Sequence, residues 1–428
     1  MRKRKPSTRS RANREVNKKT SLTLAKRLLR AAPVLISLVL LVFALSRLGV
    51  LDKFETIALD TEAHLNALPE KSSHVAIVDI DDDYYQKHFA SQSPLNPEQL
   101  HDLINKIAAC QPKVIAVDLV TTDRQFKERF KAEESCVDRQ PCNDRACWPP
   151  IVWARDLERM PRSEGDKETP LPVLGGKGAE FDLHSGLSLL WPEPESKVVR
   201  VYRRFVETAD GPLPSFAWAT VRQYELEKIN ALDQFAGPLF IRYVPDLRYE
   251  DGHTGTPRFE LTAGRLEELY EKSCKNDCAA PNPLKDEIVL LGGSYSAGRD
   301  IHQTPLGEMP GVRIHSNIIE TELGGGGYRP PSPWATAMME SFGGVVLILL
   351  FHFLRPLKAL LISMAIIAPL AFLCSFVSFA SFSRWAFFAP VLVGILLYEL
   401  FEHYRRTMIP DLYKQVSGAA EQHEHHSE

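Results

Sequence analysis

The sequence predicts an α/β domain with a mostly parallel β-sheet, combined with four transmembrane α-helices, one before the domain and three after it. Long apolar runs at residues 31–51 and within 334–402 supply the membrane helices, because a helix needs about 20 mainly apolar residues to cross a bilayer. Residues 52–333 instead alternate short β-branched runs with segments that have helical apolar spacing. This alternation is typical of parallel sheets covered by helices.

Residues 1–30 form a strongly basic arm that contains a single acid, Glu15. Lys and Arg accumulate on the cytoplasmic side of membrane segments, and they also bind anionic lipid headgroups. Arg47 stands where a signal peptidase would need small residues, so the run at 31–51 is predicted to stay as an anchor in the lipid bilayer. Nucleic acid is the less favoured partner of the arm, because no helix-turn-helix or aromatic pattern accompanies it.

Three closing membrane spans are predicted at residues 335–353, 357–379 and 385–401. A short tail at residues 403–428 follows them. Basic residues follow the first span at Arg355 and Lys358 and the last span at Arg405 and Arg406. The positive-inside rule assigns both groups to the cytoplasm. We therefore expect a multi-pass protein of a bacterial inner (plasma) membrane, with both termini in the cytoplasm and residues 52–333 in the periplasm.

Within residues 52–333, apolar β-branched runs predict strands and helically spaced apolar residues predict helices. Asn96 is the expected N-cap of one helix, because Leu100, Leu103 and Ile107 follow it at helical spacing. Together with the strands on either side, this helix predicts a βαβ unit with parallel strands. The expected strands are 74–80, 114–120, 151–154, 198–205, 239–244 and 287–291, and two further helices are expected at 215–228 and 312–323.

Six of the seven cysteines lie in the predicted periplasmic segment, and an oxidising compartment favours disulfides between them. We predict at least one disulfide, either Cys274–Cys278 or a pair within Cys136, Cys142 and Cys147. Cys110 is the candidate for a buried free thiol. A zinc site is less favoured, because no histidine stands at ligand spacing near either cysteine cluster.

Polar residues collect where the predicted strands end. Ligands of open α/β sheets bind at this edge, so Asp79, Asp118 and Asp300 are expected to converge there, with Thr304 and His315 close by. The turn at Gly292 and Gly293 offers backbone N–H groups to an anion. The candidate ligand-binding residues are Asp79, Asp81, Asp118, Gly292, Gly293, Asp300, Thr304 and His315. The alternative is structural, since such acids commonly cap helices and a histidine on an apolar helix is commonly part of the core.

The sequence contains no recognisable catalytic motif. It lacks the G-x-S-x-G elbow, the H-E-x-x-H pair and the G-x-x-x-x-G-K-[ST] phosphate loop. We therefore predict no catalytic residue, no metal ligand and no cofactor, and we do not expect an enzyme.

Several segments together resemble the second type of CHASE domain, an extracellular sensor found on histidine kinases and adenylate cyclases. They are VAIVDIDDDYY, KVIAVDLV and EIVLLGGSYSAGRDIHQTPLGEMPGVRIHSNIIETEL. The last segment carries most of the resemblance, through Asp300, Thr304, the Pro310-Gly311-Val312 motif and His315. The cysteine-bearing loops at 136–147 and 274–278 depart from the pattern and are expected to be insertions.

The resemblance, which covers roughly residues 52–333, implies a sensory role. The family commonly continues into a cytoplasmic kinase or cyclase, whereas only residues 407–428 follow Arg406 here. We expect an inner-membrane sensory subunit that binds an unidentified ligand and relays the signal through its membrane helices to a separate cytoplasmic effector. A homo-oligomer is a candidate assembly. The alternatives are a structural or scaffolding subunit of an envelope complex and, less favoured, an envelope hydrolase.

Overall fold

The structure is a computed structural model that describes residues 60–61, 73–119, 149–156, 185–194, 196–208, 211–225, 237–243, 259–274, 281–298, 300–327 and 329, with single positions between 346 and 373. The chain divides into two compact units, and the helices and strands named below belong to the one that spans Asp60–Pro330. Apart from those single positions, the predicted arm, membrane helices and tail lie outside the described residues. None of the helices in the described ranges is both long and apolar enough to cross a membrane.

A six-stranded parallel sheet forms the centre of this unit and confirms the predicted α/β class. Its strands are β1 (Val75–Ile80), β2 (Val114–Asp118), β3 (Ile151–Arg155), β4 (Ser185–Leu187), β10 (Phe259–Thr262) and β11 (Ile288–Gly293). They lie in the order β10-β1-β11-β2-β3-β4. β1 and β2 are parallel, as predicted, but β11 lies between them and pairs with both.

Helices cover both faces of the sheet. One face packs against α1 (Asp82–Phe89), α2 (Pro97–Ala109) and α4 (Ala263–Leu269), and the other packs against α3 (Phe216–Tyr224) and α5 (Gly311–Leu323). Alternate strand residues enter the two cores, so all six residues of β1 are buried. Coverage of both faces explains why the central strands are continuous apolar runs rather than alternating ones.

Short antiparallel strands complete the unit. A three-stranded sheet contains β5 (Trp191–Pro192), β6 (Val199–Tyr202) and β9 (Leu239–Phe240), and two hairpins are formed by β7 (Phe205–Thr208) with β8 (Gly211–Pro214) and by β12 (Ile301–Thr304) with β13 (Gly307–Pro310).

Several element predictions are confirmed and two are wrong. Asn96 caps α2 by accepting a hydrogen bond from the Glu98 N–H at 2.9 Å. The single strand expected at 198–205 is instead two strands in different sheets, because Arg204 between them turns inward to a buried partner. The strand expected at 239–244 is shorter and ends at Phe240.

The cysteine pairing differs from the prediction. Cys110 and Cys274 form a disulfide that joins the end of α2 to a π-helical turn at Tyr270–Cys274. Cys110 is therefore not a free thiol, and Cys274 is not paired with Cys278. The physical reason is that the packing of α2 against this turn brings together two cysteines 164 positions apart in sequence. Cys136, Cys142, Cys147 and Cys278 lie outside the described residues.

Candidate functional site

Three neighbouring strands end at one rim of the sheet, where Asp79, Gly292 and Asp118 form a single row. Asp79 of β1 is in register with Gly292 of β11, and Gly292 is in register with Asp118 of β2. All three occupy strand positions that face α3 and α5. Because strands lie about 4.8 Å apart, the backbones of the two aspartates are separated by roughly 10 Å.

The two glycines serve close packing. A Cβ atom on Gly292 would lie 2.5 Å from Cγ2 of Val312, and one on Gly293 would collide with the ring of Tyr295. Both glycines belong to β11 rather than to a turn. The N–H group that follows them, on Ser294, already donates to Asp79. The turn expected at these glycines is therefore wrong, and their part in anion binding stays a prediction.

Asp79 holds the loop that follows β11. Its carboxylate accepts hydrogen bonds from the Ser294 N–H at 2.9 Å and the Ser294 hydroxyl at 2.5 Å. Burial raises the pKa of Asp79, and the Ser294 hydrogen bonds partly oppose this shift. Asp82 binds Ser296 in the same two-point manner, at 2.8 Å for each bond. Both aspartates thus fix the loop that leads to Asp300.

Two other predicted site residues also have structural roles. Asp81 is the N-cap of α1 and accepts a hydrogen bond from the Tyr84 N–H at 2.8 Å. Thr304 closes the turn between β12 and β13, donating to the Gly307 carbonyl at 2.7 Å and accepting from the Leu306 N–H at 3.2 Å. These contacts match the structural alternative rather than the ligand-binding one.

Asp118 and His315 form a buried pair between β2 and α5. Oδ1 of Asp118 lies 3.9 Å from Nε2 of His315, and the two side chains are 8% and 4% exposed. The imidazole ring also stands edge-on to Phe216, with ring centres 5.2 Å apart. Burial and the charge of Asp300 raise the pKa of Asp118 well above its usual value. Burial lowers the pKa of His315 to about 4.

Asp300 lies over the first residue of α5. Its carboxylate occupies the space that a side chain on Gly311 would need, and its backbone carbonyl accepts the Gly311 N–H at 2.9 Å. Oδ1 of Asp300 lies 2.8 Å from Nε2 of His302 on β12. Partial burial by itself would raise the pKa of Asp300, but the His302 contact, the charge of His315 and the Gly311 N–H together lower it.

The structure thus brings together three of the predicted residues, Asp118, Asp300 and His315, and adds His302. Asp79 lies in the same row but on the other side of Gly292, where its own partner is Ser294. We define Asp118, Asp300, His302 and His315 as the rim cluster. Within the described ranges, no three His, Cys, Asp or Glu side chains are grouped so as to hold a metal ion.

A second polar network lies at the opposite end of the sheet, where the strands begin and α5 ends. Glu320 accepts the Val75 N–H at 3.0 Å and also binds the Ser73 hydroxyl, so it grips the start of β1. Glu322 accepts two hydrogen bonds from Arg204, at 2.8 and 2.7 Å, and one from the Tyr202 hydroxyl at 2.5 Å. Sequence reasoning missed this network, because neither glutamate stands in a recognisable motif.

The same end of the sheet contains both ends of the unit. Asp60, at its beginning, accepts two hydrogen bonds of 2.8 Å from the buried Arg200 of β6. Gly327, near its end, donates its N–H to the Tyr202 hydroxyl at 3.2 Å. The chain therefore enters and leaves the α/β unit next to the side chains that hold the last turn of α5.

Comparison with known proteins identifies one family. The CHASE2 domain matches residues 35–354, well over half of the 428 residues. No curated protein and no solved structure matches the chain. The matched range includes the whole of the parallel α/β unit and all four residues of the rim cluster. The chain belongs to the CHASE2 domain family, a family of extracellular sensory domains.

Proposed function

We propose that this chain is a sensory subunit of a bacterial inner membrane. In this proposal the α/β unit lies in the periplasm, anchored by a helix at 31–51 and three helices within 334–402, with both termini in the cytoplasm. A ligand binds at the rim cluster, and the membrane helices relay the event to a separate cytoplasmic effector. No catalytic step is assigned to the chain itself.

The observation that carries the proposal is the position of α5. Its first turns present Gly311 beneath Asp300 and His315 beside Asp118, whereas its last turn presents Glu320 and Glu322 to the end of the unit where the chain enters and leaves it. Thirteen helical residues span about 20 Å. One rigid element thus contacts both the rim cluster and the segments that lead toward the predicted membrane helices.

The chemistry of the rim favours a ligand that supplies hydrogen-bond donors or positive charge. Asp300 is half exposed, with 47% of its side chain accessible, and His302 is 30% exposed. A ligand shifts the position of α5 only if it binds one arrangement of the rim more tightly than the other. A ligand that contacts both His302 on its hairpin and the buried pair of Asp118 and His315 would satisfy this condition. The hairpin, β2 and α5 are separate elements, so such a ligand would distinguish one arrangement from another.

Binding is tested with the full-length protein in lipid nanodiscs and fractionated small molecules from a periplasmic extract. A ligand at a hundred times its dissociation constant stabilises the folded state by about 2.7 kcal/mol, so at least one fraction should raise the unfolding temperature. Asp300→Asn should abolish that rise. Asp83→Asn, at an exposed acid on α1, should retain it. Equal stabilisation of both variants, or no active fraction, would contradict the proposal.

A further inference from the structure

Asp118 is a buried carboxylate beside His315, and each of the two side chains has a polar atom without a hydrogen bond. Within the described residues, the Asp118 carboxylate accepts no hydrogen bond, and its contact with Nε2 of His315 is 3.9 Å, too long for one. Nδ1 of His315 is also buried without a hydrogen-bond partner. Buried polar groups are ordinarily hydrogen-bonded, so this pair needs an explanation.

The groups that act electrostatically on the pair come from three neighbouring elements. Asp300 in the loop after β11 raises the proton affinity of both groups, and His302 on β12 opposes a positive charge on His315. A hydrogen bond between the ring and the Ser188 backbone favours the protonated ring. From α3, the pair meets the apolar edge of Phe216. Arg313 on α5 binds Glu260, and Lys113 beside β2 lies over the ring of Tyr224.

We propose that Asp118 and His315 share one proton, and that release of this proton weakens the contact between β2 and α5. The inference goes beyond the proposed function, because it concerns the contact itself and holds whether or not a ligand binds at the rim. A coupled pair of this kind titrates as a unit rather than as two separate residues.

The two protonation states differ in the force across the contact. With one proton the pair is neutral, and an O–H or N–H donor lies between the carboxylate and the ring, so a hydrogen bond can draw α5 toward β2. When the proton leaves to water, the pair carries a buried negative charge that faces the Asp300 carboxylate, whichever nitrogen of the neutral imidazole keeps its hydrogen. Both the burial of an unpaired charge and the like-charge repulsion then oppose the contact.

The contact between β2 and α5 lies next to other close contacts of the first turns of α5. Val312, one turn before His315, packs against Gly292 with no room for a Cβ atom between them. A small displacement of the first turns of α5 therefore disturbs this packing as well as the position of Gly311 under Asp300. We expect α5 to open locally as the pH rises through the range in which the pair loses its proton.

The experiment measures hydrogen exchange of residues 311–319 in the full-length protein in nanodiscs between pH 5 and pH 8, corrected for the intrinsic pH dependence of exchange. The expected result is a rise of about tenfold or more in the opening of α5, since a factor of ten corresponds to one pKa unit. Asp118→Asn should remove the rise, because an amide does not titrate in this range. Asp79→Asn, at the buried aspartate on the other side of Gly292, should retain it.

An opening that does not change with pH, or that persists in Asp118→Asn, would overturn the proposal. A second measurement, on the unaltered protein, tests the proposal even if Asp118→Asn fails to fold. Infrared difference spectra of the unaltered protein should show a protonated carboxylic acid that disappears as pH rises, and His315→Gln should move that transition by about one pH unit or more. Absence of the signal, or a transition unmoved by His315→Gln, would overturn the shared proton.

Discussion

Arg204 and Glu322 are joined by two hydrogen bonds of 2.8 and 2.7 Å, and their side chains are only 5% and 1% exposed. The guanidinium also lies over the ring of Trp218, 4.4 Å from its centre. This bidentate ion pair fixes the last turn of α5 to the segment between β6 and β7. The helix that begins at the rim cluster is thus held at its other end by a buried pair of charges.

Removal of one partner of this pair should be strongly destabilising. Glu322→Gln leaves the buried Arg204 charge uncompensated, and the expected loss is about 3 kcal/mol in the free energy of unfolding. Urea unfolding of the full-length protein measures it. The matched control is Glu268→Gln, whose partner Lys272 lies 3.9 Å away on an exposed surface and which should cost well under about 1 kcal/mol. Equal losses in the two variants would refute the assignment.

A side chain at Gly292 should be tolerated only if Val312 becomes smaller. Gly292→Ala places a methyl group 2.5 Å from Cγ2 of Val312, and such overpacking costs about 1–3 kcal/mol. In the double variant with Val312→Ala, the clash is relieved, so the two effects should not add. Thermal unfolding of the two single variants and the double variant gives the coupling. Simple additivity would show that the close approach is not what requires glycine.

The Cys110–Cys274 disulfide should be found in protein isolated from the membrane without reductant. Mass spectrometry of a non-reduced digest should yield the two cysteine peptides joined. Because the bond closes a loop of 164 positions, its loss in Cys110→Ser should cost about 2–5 kcal/mol. Free thiols at both positions in the isolated protein would contradict the pairing.

Both termini should lie in the cytoplasm. An alkaline phosphatase fused after Glu428 should be inactive, because this reporter needs export, and a fusion within 156–180 should be active. Activity at the C-terminal fusion, or none at the internal one, would refute the proposed topology.

Local sequence patterns predicted the central strands and the helices α2 and α5 well. The β-branched runs at β1, β2 and β11 and the capping Asn96 each act within a few residues. Features that depend on distant partners could not be predicted in this way. Arg204 interrupts a strand-like run because Glu322, 118 positions later, accepts its hydrogen bonds.

The candidate site shows the same division. The convergence of Asp118, Asp300 and His315 followed from the parallel topology, because the carboxyl ends of such strands share one rim. The separate role of Asp79 did not follow. It depends on Val312 packing at Gly292 between the two aspartates and on Ser294 binding Asp79, and neither contact is encoded in a local motif.

In the proposed function, α5 couples the rim cluster to the end of the unit where the chain enters and leaves it. The most direct test is hydrogen exchange of residues 320–327 in the full-length protein in nanodiscs, compared between the unaltered protein, Asp300→Asn at the rim and Asp83→Asn on exposed α1. We predict that Asp300→Asn changes exchange at 320–327 by about fivefold or more, the lower end of ordinary allosteric coupling, while Asp83→Asn leaves it unchanged. Unchanged exchange in Asp300→Asn, with altered exchange confined to residues near 300–315, would contradict the coupling.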